Sequence, residues 1–288
     1  MSGAAERRGG EPPGTLYVVA TPLGNLGDLS PRAAETLRQA SVVAAEDTRR
    51  TRGLLSHLGA SPTLLSFHAH SDERRLETLL GILGEGRDLA LVTDAGTPGV
   101  SDPGTDLVAA ALEAGYPVVP IPGPSAVATA LSAAGIAADR YLFLGFVPRK
   151  GAERSRLLAR AAVEEWSVVF FEAPTRLAAL LADLTAAAGA GRRALVAREL
   201  TKLHEELRAG TLAELADYYS SVSPRGELTI VMEGTGTPPA LPDRTADAAD
   251  EAAALLAEGL TRREVARRLT ETHGLSRNDA YRLVTGLP

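Results

Sequence analysis

Acidic, basic and hydroxyl side chains follow three apolar runs of the sequence directly. Glu46, Asp47 and Arg49 come after one run, Glu172 and Arg176 after a second, and Glu199 and Lys202 after a third. A carboxylate or amine at a strand end can exchange a proton with a substrate, and a guanidinium can bind phosphate. The candidates for acid–base chemistry are Glu46, Asp47, Glu172, Glu199 and Lys202. Each also has a structural alternative as a helix N-cap or ion-pair partner, and no spacing selects one as the general base.

A turn rich in glycine and proline, TDAGTPGVSDPG at 93–104, marks another candidate region. It follows the apolar run 89–92, and a second apolar run at 118–121 is followed by the turn sequence PGPSA. Both runs have the pattern of buried parallel strands, and helical periodicity at 106–114 joins them. Ligands bind open parallel sheets where the carboxyl ends of strands meet such turns. We therefore expect a ligand site at this edge.

The first loop of the chain, 21–28, has the sequence TPLGNLGD between a predicted strand at 15–20 and a predicted helix at 31–40. Ser30 and the proline after it are typical of an N-cap and a first helical residue. Glycines spaced in this way allow backbone N–H groups to approach a ligand. The spacing is not the dinucleotide pattern GxGxxG, so a plain turn is an equal interpretation.

The remaining pattern predicts an α/β fold of two α/β domains, at 14–122 and 123–235. Further strands are expected at 41–45, 63–67, 141–145, 167–171, 194–197 and 227–232, and further helices at 125–134, 153–163 and up to residue 188. Residues 1–13 have the composition of a disordered tail and 236–244 that of a linker. Three short helices are expected within 245–288, with Thr261 and Ser276 as N-caps and turns at Gly259 and Gly274. They suit a helix-turn-helix bundle or, equally, a packing or dimerisation appendage.

Composition limits the classes of protein that the chain can represent. A hydrophobic content of 45% with 23% charged residues is ordinary for a soluble globular protein of 288 residues. Cysteine is absent, and no apolar run has the length of a membrane span, so we expect a cytoplasmic protein. His68 and His70 alternate, but without further ligands nearby we expect no metal site.

The net charge of −6 argues against a protein that coats nucleic acid over its whole surface. Three stretches are nevertheless locally basic. They contain Arg49, Arg50 and Arg52; Arg149, Lys150, Arg154, Arg156 and Arg160; and Arg262, Arg263, Arg267 and Arg268. Each alone is typical of a solvated helix face, whereas together, beside the expected site, they favour RNA.

Eight segments in order resemble one family. They are LYVVATPLGNLGDLSPRA, AAEDTRRTRGLL, LVTDAGTPGVSDPG, VVPIPGPSAV, FLGFVPRKG, VVFFEAPTRL, ARELTKLHEE and GELTIVMEG. The chain resembles the methyltransferases of the tetrapyrrole methylase superfamily. Within that superfamily it is similar to the bacterial enzymes that methylate a cytidine ribose 2′-hydroxyl in the decoding region of 16S ribosomal RNA. The resemblance spans residues 15–234.

The resemblance implies S-adenosylmethionine in a cleft between two α/β domains, a homodimer, and 16S ribosomal RNA within the small subunit as the partner. Thr97 stands where the superfamily has an aspartate, so Asp94 is expected to take over its role. By position the resemblance implies cofactor contacts at Leu23, Gly24, Asp94, Gly96, Thr97, Pro98, Val100, Ser125, Ala126, Phe171 and Leu228. RNA contacts are expected at Arg49, Arg149, Lys150, Arg154, Arg156 and Arg176.

Two alternatives stay open. A corrin or porphyrin methylase shares the fold, but the basic stretches, the TPLGNLGD loop and the C-terminal helices argue against it. An RNA-binding module that has kept the fold without catalysis is the other alternative, and failure to bind S-adenosylmethionine would favour it.

Overall fold

A computed structural model of the chain describes residues 12–69, 71–237, 244–273 and 275–286. Most of the predicted tail and linker, together with His70 and Gly274, lies outside the described residues. The chain divides into two compact units, 1–235 and 236–288. The two domains predicted within the first unit correspond in position to two separate sheets, described next, and their boundaries stay predictions.

The first sheet has five parallel strands, two of which are buried along their whole length. In chain order they are β1 (Leu16–Val19), β2 (Val42–Ala45), β3 (Thr63–Ser66), β4 (Leu89–Val92) and β5 (Val118–Ile121). Their order across the sheet is β3-β2-β4-β1-β5. Continuous runs such as VVAA and LALV suit strands covered by helices on both sides, which is why these segments form a parallel sheet.

The helices that cover this sheet divide between its faces. They are α1 (Pro31–Gln39), α2 (Thr48–His57), α3 (Glu73–Gly84) and α4 (Thr105–Glu113). Leu37 of α1 and Leu55 of α2 pack with Val43 and Val92, whereas Leu83 of α3 and Leu107 pack with the opposite face. The adjacent strands β1 and β4 therefore lead to helices on opposite faces. A crevice opens at their carboxyl ends, which is where open parallel sheets bind ligands.

The second sheet is mixed. Its strands are β6 (Tyr141–Phe146), β7 (Ser167–Glu172), β8 (Arg193–Arg198), β9 (Glu206–Thr211) and β10 (Leu228–Met232), in the order β6-β7-β10-β8-β9. Strands β6 and β7 are parallel, and the other neighbours are antiparallel. The predicted α/β fold class is thus confirmed, with strand ends within about two residues of the predicted ones.

Four helices pack on the second sheet. They are α5 (Ala126–Ala133), α6 (Ala152–Val163), α7 (Leu177–Ala188) and α8 (Leu212–Ser221). Helix α5 covers one face, where Leu131 meets Val169 and Val231. Helices α6 to α8 cover the other face around the fully buried Phe170. Each such buried apolar side chain contributes about 1.5–3 kcal/mol through its removal from water.

Strand β6 contains a β-bulge near its carboxyl end. Phe143 pairs with Val169 and Phe146 with Phe171, so a step of three residues along β6 matches a step of two residues along β7. Gly145, inside this interval, has a φ of +62°, which glycine adopts without strain. The extra residue brings Phe146 to the same face of the sheet as Phe143.

The C-terminal unit consists of α9 (Arg244–Ala257), α10 (Arg262–His273) and α11 (Arg277–Gly286) around a small apolar core. The predicted N-caps are present: Thr261 Oγ1 accepts from Glu264 N at 3.4 Å and Ser276 Oγ from Asp279 N at 3.2 Å. Across both units, none of the helices in the described ranges combines the length and apolarity that crossing a bilayer requires.

Candidate functional site

Backbone hydrogen bonds join the loops that follow β1 and β4 inside the crevice. Thr21 N donates to Gly96 O at 2.9 Å, and Gly96 N donates to Thr21 O at 3.0 Å. The buried Thr21 hydroxyl donates to Thr93 O at 3.1 Å. The two predicted ligand loops are therefore a single bonded structure.

Gly96 is at the centre of this structure. Its φ of +83° is one that a residue with a side chain adopts only with strain, and a Cβ there would meet Leu23 and the carbonyl of Pro124. Thr97 Oγ1 donates to Pro124 O at 3.3 Å, which ties the turn before α5 to the same loop. Ser125 Oγ then caps α5 by accepting from Ala128 N. Leu23 and Ala126 pack against the second sheet, while Pro98 is buried and Val100 is 41% exposed.

Carboxylates that follow β2 and β4 accept hydrogen bonds from each other's backbone N–H groups at the same edge. Asp94 Oδ1 accepts from Asp47 N at 3.0 Å, and Glu46 Oε2 accepts from Asp94 N at 3.3 Å. Arg50 Nη1 lies 3.2 Å from Asp94 Oδ2. Asp47 caps α2, and the hydrogen bonds from Arg49 lower its pKa to about 2. Asp47 therefore stays charged and is a weak proton acceptor.

Asp102 is a further acidic residue of this region that the sequence prediction did not single out. Burial is the largest cause that raises its pKa, and the negative charges of Glu46, Asp94 and Glu227 add to it; with the Thr93 hydroxyl partly offsetting them, the pKa is about 6. These neighbours come from both sheets, so Asp102 lies where the two sheets meet. We call Glu46, Asp94, Asp102 and Glu227 the acidic crevice. The sequence signal that could have identified Asp102 is its position in the same turn as Asp94. The burial of Asp102 has no signature in the sequence.

Lys202 joins the second sheet to the first loop. Its Nζ lies 2.8 Å from Glu199 Oε1 and 3.0 Å from Glu227 Oε2, and Glu199 Oε1 also accepts from Glu227 N at 3.0 Å. Burial alone would raise the pKa of Glu199, but the hydrogen bonds from Lys202 and Glu227 outweigh it and lower that pKa. The Lys202 stem occupies the space that a side chain at Gly24 would need. The structure thus brings Gly24, Glu199 and Lys202 together.

Three predicted residues of the second sheet divide between its faces. Phe171 packs edge-to-face with Phe143, at a centroid distance of 4.9 Å, on the face that also holds Leu23. Leu228 and Glu172 lie opposite each other in register, and Leu228 is in the core on the other face. Glu172 is 2% exposed, accepts from Ala173 N at 2.7 Å and pairs with Arg176. The side chains of Glu172 and Leu228 are therefore not grouped with the acidic crevice.

The basic residues fall into two classes. Arg154 is 13% exposed in its side chain, donates to Pro148 O at 3.0 Å and pairs with Asp183 at 2.6 Å. The exposed Arg49 is paired with Asp47. The residues Arg149, Lys150, Arg156 and Arg160, which we call the basic rim, are exposed and make no ion pair within the described part of the chain. The cations of the basic rim are therefore free to bind an external anion.

The site combines an apolar cradle with an excess of negative charge. Leu23, next to Gly96, and Ala126 supply apolar surface, and the raised pKa of Asp102 reflects its burial first and then the repulsion of the neighbouring carboxylates. A cation beside these carboxylates would relieve that repulsion. The arrangement suits a ligand with a flat apolar part and a positive charge. Within the described ranges, no three histidine or acidic side chains are grouped as metal ligands.

Comparison with known proteins gives three results. The sequence model of a family described as Tetrapyrrole (Corrin/Porphyrin) Methylases matches residues 15–216. The chain is 46% identical to the ribosomal RNA small subunit methyltransferase I of Synechocystis, over 94% of this chain and 97% of that protein. It is 41% identical to the protein of the same name from Escherichia coli O157:H7, over 93% of this chain and 94% of that protein.

Solved structures share the fold at low sequence identity. A cobalt precorrin-4 methyltransferase is similar with a TM-score of 0.60 and 18% identity, over 76% of this chain and 94% of that one. A uroporphyrin-III C-methyltransferase from Thermus thermophilus, complexed with S-adenosyl homocysteine, has a TM-score of 0.56 and 21% identity, over 77% and 98%.

Proposed function

Because the chain belongs to the tetrapyrrole methylase family and, within it, to the ribosomal RNA small subunit methyltransferase I group, we propose that it methylates 16S ribosomal RNA. The methyl group comes from S-adenosylmethionine, and the acceptor is the ribose 2′-hydroxyl of a cytidine in the decoding region. The observation that carries this proposal is the similarity to relatives of that name along almost the whole of both chains.

The residues of the crevice fit the cofactor. S-adenosylmethionine, when bound, supplies an electrophilic methyl group on a positively charged sulfonium. Backbone at Gly96 can approach it closely, Leu23 and Ala126 offer apolar surface for its base, and the acidic crevice balances its charge. The proposed contacts are Leu23, Gly24, Asp94, Gly96, Thr97, Pro98, Val100, Ser125, Ala126, Phe171 and Leu228. Leu228 would contact the cofactor through its main chain, because its side chain is in the core.

Asp102 is our choice of general base. A ribose hydroxyl becomes a good nucleophile only as its proton leaves, and a base acts best when its pKa is near the working pH. The pKa of Asp102, about 6, meets this condition, whereas Asp47 and Glu199 have lowered pKa values. Glu46 then fixes the Asp94 backbone by a hydrogen bond, and Lys202 holds Glu199 and Glu227 in place.

RNA is recognised through its phosphates and through exposed bases. The basic rim supplies unpaired cations for the phosphates, and Arg49, which is paired with Asp47 but 86% exposed in its side chain, is a further candidate. Arg154 and Arg176 already have carboxylate partners within the fold, so we assign them a positioning role. We further propose that the enzyme is a cytoplasmic homodimer that acts on the small ribosomal subunit.

The test is transfer of labelled methyl from S-adenosylmethionine to small subunits from a strain that lacks this gene. Digestion and mapping of the RNA should place the label in a 2′-O-methylated cytidine of the decoding region. Label at another position would contradict the proposed acceptor nucleotide. An absence of label with the cofactor bound would reopen the substrate, with tetrapyrroles tested next.

A further inference from the structure

Phe146 is an exposed aromatic residue that the proposed function leaves without a role. It is 58% exposed, although it is next to the buried Val147. In a regular strand Phe146 would follow Phe143 by three positions and point to the opposite face. The bulge at Gly145 turns Phe146 to the face that holds Phe143, Phe171 and Leu23.

The ring of Phe146 rests on Phe171, and its chain neighbours on both sides are fixed by packing. It packs edge-to-face on Phe171, with ring centroids 5.5 Å apart, and Phe171 packs in the same way on Phe143. Val147 anchors the next position in the core of the other face. A Cβ at Gly145 would lie 3.0 Å from Ser101 Oγ, so the bulge touches the loop that carries Asp102. The ring thus rests against Phe171, remains 58% exposed and follows a residue that touches the loop of Asp102.

The chain after Phe146 leads directly to the basic rim. Arg149 and Lys150 follow within four residues, and the Arg154 guanidinium holds the turn through Pro148 O and Asp183. Exposed aromatic rings beside unpaired cations are the combination by which proteins bind single-stranded nucleic acid. The cations contact the phosphates, and the ring stacks on a base.

We propose that Phe146 is a stacking platform for a base of the RNA substrate, at or next to the nucleotide that is methylated. This inference rests on the proposed function. Stacking on Phe146 holds an unpaired base while its ribose faces the loop of Asp102, so the ring acts in substrate positioning. The occupant is a nucleobase, because the ring is flat, largely exposed and followed by cations.

The experiment compares methyl transfer by wild type, Phe146→Leu, Phe146→Met and Phe146→Tyr on unmodified small subunits. Tyr141→Leu is the matched control, because Tyr141 is a 45% exposed aromatic at the other end of the same strand. We expect kcat/KM to fall about tenfold or more in the Leu and Met variants, mainly through KM, and to recover with tyrosine. Tyr141→Leu should keep wild-type values.

Two further readouts separate stacking from a structural role. Affinity for S-adenosylmethionine, measured by calorimetry, should not change, and the salt dependence of RNA binding should keep its slope because the substitution removes no charge. Equal loss in the tyrosine variant, reduced cofactor affinity, or a changed oligomeric state in light scattering would overturn the proposal. Wild-type kcat/KM in both the Leu and Met variants would also overturn it. Failure of wild type to methylate the subunits would instead contradict the proposed function.

Discussion

The acidic crevice and the basic rim differ in how their charged groups are buried and paired. Asp94 of the crevice is bonded to the backbone of Asp47 and to Arg50, and Asp102 is partly buried. Arg156 and Arg160 of the rim are exposed and lack ion-pair partners within the described residues. Charges in a partly buried site interact strongly and are fixed in advance, whereas exposed charges are screened by salt. Substitutions in the crevice should therefore alter the reaction, and those on the rim should alter only binding.

The largest effect is expected for Asp102→Asn, which keeps the shape of the side chain and removes the base. We expect kcat to fall about 10²–10⁴-fold. In wild type, kcat/KM should rise with pH through about 6, where this carboxyl ionises. Asp106→Asn, an exposed residue of the following helix, is the control and should leave the rate unchanged. A variant with wild-type rate and pH profile would remove Asp102 from the mechanism.

The same variant makes a prediction about stability. The folded-state pKa, about 6, is above the ordinary value of 3.8, so the ionised carboxyl destabilises the native state. The stability that the protonated form contributes is full below about pH 4 and is lost as the pH rises to about 6. Asp102→Asn should therefore raise the free energy of unfolding above about pH 6, by on the order of 1 kcal/mol after solvent screening, and have little effect near pH 4. Denaturant titrations at both pH values measure this difference.

A smaller loss is expected for Gly96→Val, which tests the close backbone approach in the crevice. A β-branched residue at a φ of +83° strains the strand-end bridge to Thr21, and the loop must shift. Affinity for S-adenosylmethionine should fall about 10–100-fold in calorimetry. Gly59→Val, at a φ of +66° with open space around it, should cost similar stability and leave the affinity intact. If the two variants bound S-adenosylmethionine equally well, close backbone approach at Gly96 would not contribute to cofactor affinity.

The smallest effect is expected on the basic rim. In Arg156→Glu/Arg160→Glu, the slope of log affinity for RNA against log salt should decrease by about 0.7–0.9 for each phosphate that the protein no longer neutralises. Cofactor affinity should not change. Arg154→Ala should instead lower the melting temperature, because it removes the hydrogen bonds to Pro148 and Asp183. An unaltered slope in the double variant would place the RNA on another face.

The sequence was sufficient to predict those elements whose structure is determined by their own residues. Continuous apolar runs such as LALV predicted the buried parallel strands, and turns rich in glycine and proline predicted the edge at which Thr21 and Gly96 pair. Strand β9 was missed because it contains two charged residues and a glycine, and its pairing with β8 is a long-range contact. Edge strands depend on such neighbours more than on their own residues. Helices α2, α3 and α8 were also not predicted.

The site was less accessible from the sequence than the fold. Arg154 and Arg156 are two positions apart in one basic helix, yet only the first meets a carboxylate, on a helix that begins more than twenty residues later. The raised pKa of Asp102 depends on charges from both sheets. The orientation of Phe146 depends on the bulge at Gly145. Each is a property of tertiary packing, which a local pattern does not contain.

The order of strands in the second sheet has a consequence for how the protein is made. Strand β10 lies between β7 and β8, yet it is the last strand of the unit to be synthesised. The parallel sheet has all its strands once residue 121 has left the ribosome, whereas the mixed sheet must wait for residue 232. At ordinary translation rates that interval is roughly 5–20 s. From the completion of β7 and of β8 until β10 is made, the edges that will pair with β10 have no partner, so this half of the nascent chain is the more exposed to aggregation.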